Sequence, residues 1–128
     1  MTDLNWAVQK AVFDALAAAA VSAPVKSFVT ADDAFPYVQL GDDIVTDLGT
    51  KDCRCESHEL TIITMVSGKS RKPMSDLQEE IRAALHDQPI GFEGAKLSHP
   101  KQTSAGGGQV DIDLFMGTQT FQIIAQDG

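Results

Sequence analysis

At 128 residues, with 43% hydrophobic and 22% charged side chains, the sequence has the size and composition of one ordinary globular domain, able to bury a core without disulfide or metal staples. A formal net charge of −8, with ten Lys and Arg residues scattered along the chain, argues against a surface that grips duplex DNA, because phosphate contacts need clustered cations. No run reaches the length of a membrane span, and the apolar start carries Asp3 and is interrupted by Gln9, Lys10 and Asp14, unlike a signal peptide.

The first helix is expected over residues 4–20. Leu4, Val8, Val12, Leu16 and Ala19 recur every three or four positions, with Ala11 and Ala15 on the same face and Thr2 or Asp3 as cap. So many alanines let another backbone come close, so this helix is expected to lie flat on a sheet. After Ser22-Ala23-Pro24 a short strand over 25–29 leads to Ala34-Phe35-Pro36-Tyr37-Val38-Gln39-Leu40-Gly41. Pro36 fixes one backbone angle and pushes Phe35 into extended geometry, and Tyr37, Val38 and Leu40 then read as a short strand stopped at Gly41 and Asp42-Asp43. Residues 42–55 are polar, with Ile44, Val45 and Leu48 as their large aliphatics, and read as a strand followed by an exposed, mobile hairpin or loop.

The pattern then changes. Leu60, Ile62, Ile63, Met65 and Val66 leave neither face polar, which suits a central strand with helices on one side. Pro73 opens a second helix whose stripe is Met74, Leu77, Ile81, Ala84 and Leu85, ending before Pro89. A strand is expected around 95–103, then a mobile turn over 104–108 containing three glycines. Val110, Ile112 and Leu114 alternate with Asp111 and Asp113. Beyond Gly117 the apolar phase moves to Phe121, Ile123 and Ala125, so a bulge or tight turn is expected near Met116-Gly117-Thr118. The order of elements predicts an α+β fold, a mainly antiparallel sheet of about four to six strands with two helices packed on one face.

Few residues invite chemistry. Cys53-x-Cys55-x-x-His58 gathers metal-ligand types, but a structural zinc needs four, so His86 or His99 would have to complete the set. A disulfide across one residue would be strained, and reduced thiols are the simpler reading. Asp42, Asp43 and Asp47 lack the spacing and glycine of a calcium loop. No Ser or Cys lies in a nucleophile elbow, and the glycine run is not followed by the Lys-Ser/Thr of a phosphate loop. Neither an enzyme nor a cofactor is expected; a small metal-binding or enzymatic α+β domain using Cys53, Cys55 and His58 is the distant alternative.

Several landmarks in order resemble the phage tail-completion, or tail-terminator, family of small tail-tube-capping proteins found in siphophages, prophages and gene transfer agents. They are Ala7-x3-Ala11-x4-Leu16, the strand Phe35-Pro36-Tyr37-Val38-Gln39-Leu40-Gly41, Thr46-Asp47, Met65-Val66-Ser67, Ile81-Arg82-Ala83-Ala84-Leu85-His86-Asp87, Pro89-Ile90 and Phe92-Glu93-Gly94-Ala95-Lys96-Leu97. The resemblance spans nearly the whole chain, taken as one domain over 1–128. It implies a structural protein that forms a hexameric ring on the tail-tube protein, ends tube growth and meets the head–tail connector or neck protein, with genomic DNA passing through the lumen. The implied setting is the host cytoplasm during assembly and then the tail–neck junction of the virion. Another head–tail joining protein is the nearer alternative. Asp42, Asp43, Asp47, Asp111 and Asp113 are candidates for the lumen or subunit interfaces, where acidic groups would repel DNA phosphates.

Overall fold

Asp3 begins the first helix, its carboxylate accepting a hydrogen bond from the Trp6 backbone N–H at 3.2 Å. Helix α1 spans Leu4–Ala18 and buries Leu4, Ala7, Val8, Ala11, Val12 and Leu16, a stripe at helical spacing. The computed structural model describes residues 3–26, 29–30, 33–49 and 54–127. Across these, α1 is followed by β1 (Val25–Lys26), β2 (Tyr37–Asp47), β3 (Cys55–Ser67), α2 (Lys72–Leu85), β4 (Ala95–Leu97), β5 (Lys101–Asp111) and β6 (Leu114–Asp127).

The strands form one six-stranded sheet in the order β1-β2-β3-β6, with β4 and β5 both on the far side of β6. Every pairing is antiparallel except β1 with β2, so the sheet is mixed, and the expected α+β class holds. Alternate residues of β3 and β6 point the same way: Leu60, Ile62 and Val66 join Phe115, Phe121, Ile123 and Ala125 under the two helices. α2 adds Met74, Leu77, Ile81 and Leu85, and α1 adds its whole buried stripe, to this one core. On the opposite face Ile63 and Met65 are half-buried, as a strand with two apolar faces requires.

Four expectations fail, each for a tertiary reason. Strand β2 does not stop at Gly41; a register shift between Leu40 and Asp43 takes up the acidic pair, and Asp43 to Asp47 pair with Leu60 to Glu56. Pairing with β3, which β6 holds on its other side, supplies ladder bonds that outweigh the poor strand propensity of aspartate. Within 42–55, read as a strand followed by a mobile hairpin or loop, residues 42–47 are the strand, continuous with β2, and 50–53 lie outside the described residues.

Residues 104–108 are not a turn but the middle of β5. Gly107 sits opposite Gly117 of β6, where a Cβ would come within 2.7 Å of the Met116 carbonyl oxygen and 2.9 Å of Met74 Cε. Close packing of α2 over this pair, rather than a turn, accounts for the glycine at 107. Finally, β6 runs without a bulge near 116–118, burying Phe115, Gly117, Gln119, Phe121, Ile123 and Ala125 in strict alternation. The change of phase belongs instead to the hairpin turn, where Asp111 pairs with Leu114 and Asp113 adopts a φ of 59°. The strand expected around 95–103 is likewise two pieces in line along β6. Between them, Ser98 continues the ladder by donating its N–H to the Ile124 carbonyl (2.9 Å) and accepting the Ile124 N–H on Oγ (2.8 Å).

Candidate functional site

The Phe35–Gly41 stretch enters the sheet as its sequence suggests. Val38 and Leu40 are buried under the helices, and Tyr37, though on the other face, is only 8% exposed. The Val38 N–H donates to the Pro24 carbonyl at 2.8 Å, which ties this entry to the segment before β1. Phe35 remains 42% exposed, with its ring stacked on Tyr37 at 5.5 Å between centroids. Pro36 lies beside Val66, Pro73 and Leu77 in a hollow between the sheet entry and α2. Of the other signature residues, Gly41 sits at the bulge, where a Cβ would meet the Thr61 carbonyl oxygen at 3.1 Å. Ser67 ends β3 opposite Leu114, Ala84 is half-buried, and Leu85 is fully enclosed. These residues shape and anchor the fold.

The five candidate carboxylates do not converge. Asp42 is exposed at the bulge, and Asp47 is exposed at the end of β2, accepting the Gly49 N–H at 2.8 Å. Asp111 and Asp113 are exposed at the β5–β6 turn, Asp111 accepting the Ile112 N–H at 2.7 Å and the Asp113 carbonyl accepting the Gly68 N–H at 2.8 Å. Strand β3 runs from Glu56, opposite Asp47, to Ser67, opposite Leu114. At ~3.3 Å per residue, Asp47 and Asp111 therefore stand roughly 35 Å apart, at opposite ends of the sheet.

Asp43 differs from the other four. Its carboxylate, with a side chain 8% exposed, lies 3.0 Å from Nδ1 of the fully enclosed His58, and Glu56 meets Nε2 of the same ring at 3.1 Å. Both contacts are donated together only by the doubly protonated ring. His58 and Glu56 share the helix-side face of β3, and the bulge in β2 turns Asp43 toward them. Sequence reasoning grouped His58 with the cysteines. The alternation of β3 instead puts Cys55 on the opposite face from His58, and Cys53 lies outside the described residues. His86 accepts the Gln102 N–H on Nδ1 at 3.0 Å, near the end of α2. Among the described residues no three His, Cys, Asp or Glu side chains are arranged to hold a metal ion. Closed off from solvent and held by two carboxylates, His58 is placed to fix the β2–β3 pairing rather than to act on a substrate.

What the surface does offer is apolar. Trp6, Ile44, Leu48, Val110 and Ile112 are all more than half exposed, Ile112 most of all at 83% on the tip of the β5–β6 hairpin. Trp6, Phe13 and Leu40 line a shallow cavity of about 170 Å³ with Gln9 and Lys10. Trp6 was not singled out by sequence pattern because it lies off the buried stripe of α1; a tryptophan on a helix's polar face was the available signal. No helix of the described residues is long and apolar enough to cross a membrane.

Comparison with known proteins identifies a family and a shared fold. The sequence model of the family described as tail completion protein gp17 matches residues 6–126, from the first turn of α1 to the end of β6. No curated protein matches the sequence significantly. A similar solved structure is a chain from the virion of a native gene transfer agent particle. It superposes with a TM-score of 0.84 over 98% of this chain and 99% of that one, at 19% identity, and so shares the fold.

Proposed function

This chain belongs to the tail completion protein gp17 family, and from that premise we propose that it caps the tail tube, ending tube growth and forming the tail side of the head–tail joint. Its role is a structural one in tail assembly. The observation that carries the finer reading is the family match across both helices and all six strands, on a chain whose notable surface features, among the described residues, are exposed apolar side chains and unpaired sheet edges. Such features suit a subunit whose remaining surface is covered by neighbours.

In this reading the protein forms a ring, a hexamer, seated on the last ring of tail-tube protein, and its other side meets the connector or neck protein. No catalysis is involved. The exposed carboxylates Asp42, Asp47, Asp111 and Asp113 face the lumen or its rims, where they keep DNA phosphates from adhering as the genome passes. Asp43 is left out of this set because its carboxylate is committed to His58.

Native mass spectrometry of the tag-free protein, with and without its tail-tube protein, tests the reading. A metal-free hexamer, alone or on the tube, is the expected result. A monomer indifferent to the tube would overturn it, and a hexamer that binds the connector but not the tube would make the protein a neck component instead.

A further inference from the structure

Strand β5 has one edge inside the sheet and one outside it. β6 pairs along its whole length, and among the described residues no strand pairs with its other edge. Proteins usually blunt such an edge with charge, proline or bulges, because a long flat one templates pairing with another chain. Here those devices stand only at the ends. Lys101 and Asp111 carry the charges, and the register shifts fall between Gln102 and Ser104 and between Gln109 and Asp111. Between them runs Ser104-Ala105-Gly106-Gly107-Gly108-Gln109, with neither charge nor proline.

The glycines in this run are not alike. Gly107 is required by Met116 and Met74 beneath α2. A Cβ on Gly106 would meet nothing within 4 Å, and one on Gly108 would meet only Arg71 Nη2 at an ordinary 3.6 Å. Gln78 of α2 donates to the Gly106 carbonyl at 2.9 Å, which pins the strand without filling that space. Among the described residues nothing asks for glycine at 106 or 108. Side-chain-free positions on an edge strand leave room for the larger side chains of a strand laid beside it.

The sheet ends on its other side in β1, which pairs only with β2 among the described residues. Two unlike edges at opposite ends of one sheet can pair head to tail between copies, a contact that forms a ring when the rotation from one copy to the next closes. We propose that residues 104–109 of β5 are the seat for an edge strand from a second copy of this chain, so that the sheet continues from the β5 end of one subunit into the β1 end of the next. This rests on the ring reading above and names the surface that builds the ring.

Amide hydrogen exchange on the free subunit and on the assembled ring, alone or seated on tail tube, tests it. Exchange at 104–109 is expected to slow at least tenfold on assembly; an unchanged rate in an intact ring overturns the proposal and leaves the ring reading standing. A wild-type chain that stays monomeric in both conditions overturns both. Gly106→Lys places an edge-blocking charge where the fold has space. The variant is expected to keep the circular dichroism of the wild-type subunit and a melting temperature no lower than its own, while its ring population falls at least tenfold. Wild-type ring yield from this variant counts against the proposal.

Discussion

Two adjacent glycines in β5 should respond oppositely to the same added methyl group. At Gly107 a Cβ would lie 2.7 Å from the Met116 carbonyl oxygen, 2.8 Å from Gly117 Cα and 2.9 Å from Met74 Cε, two of them backbone atoms. Relief requires β5 to lift from β6 or α2 to rise from the sheet, and overpacking of this kind costs about 1–3 kcal/mol. At Gly106 the same Cβ meets nothing within 4 Å, and the backbone is not in the left-handed region. Gly106→Ala should therefore gain ~0.4–1 kcal/mol by narrowing the unfolded ensemble. Urea unfolding of the free subunit, followed by far-ultraviolet circular dichroism, should separate the two variants by at least about 1.5 kcal/mol. Melting temperatures should move in opposite directions, at roughly 3–5 °C per kcal/mol for a chain of this size. Equal stabilities for Gly106→Ala and Gly107→Ala would refute the packing of α2 onto a continuous β5 and restore a turn at 104–108.

Two further predictions probe the polar contacts. His58→Leu leaves the buried carboxylate of Asp43 and the partly exposed one of Glu56 facing an apolar group. The loss should be about 3–5 kcal/mol by denaturant unfolding, partly recovered by adding Asp43→Leu, and a loss under ~1 kcal/mol would mean the cluster is not holding β2 to β3. Lys101, hydrogen-bonded to Asp87 after the end of α2, holds that carboxyl below the usual carboxylate range. Because the folded value is depressed, the contribution is present above the ordinary aspartate value and fades as pH falls through the lowered one. Lys101→Met should raise the Asp87 midpoint in a carboxyl NMR titration, with little change in stability because the pair is exposed.

Much of this fold was legible as periodicity. The stripes of α1 and α2 follow from contacts three and four residues apart, which a helix makes from its own sequence. Leu60, Ile62, Ile63, Met65 and Val66 announced a central strand, because both faces of such a strand must find apolar neighbours. The order of landmarks from Ala7 to Leu97 carried the family resemblance that the match over 6–126 bears out. The glycine run misled because its cause is not local: it reads as a turn until α2 is seen lying over Gly107 and Gly117. The change of apolar phase was visible, but its location was not. A hairpin turn at Ile112-Asp113 and a bulge near Gly117 leave the same apolar pattern in the residues that follow.

The candidate site divided along the same line. Composition and the scatter of Lys and Arg argued against a duplex-binding surface, and the order of family landmarks pointed to a structural role in tail assembly. The sequence alone thus determined the two helices, the central strand, their apolar faces and the coarse kind of role. Which residues meet was decided by tertiary structure. One shift of register between Leu40 and Asp43 turned Asp43 toward His58, while strand alternation kept Cys55 on the other face. Asp47 and Asp111 ended at opposite ends of the sheet because β2 and β5, each ending at its aspartate, run in opposite directions. Side-chain periodicity is a property of each strand by itself, whereas register, face and free edge exist only between strands.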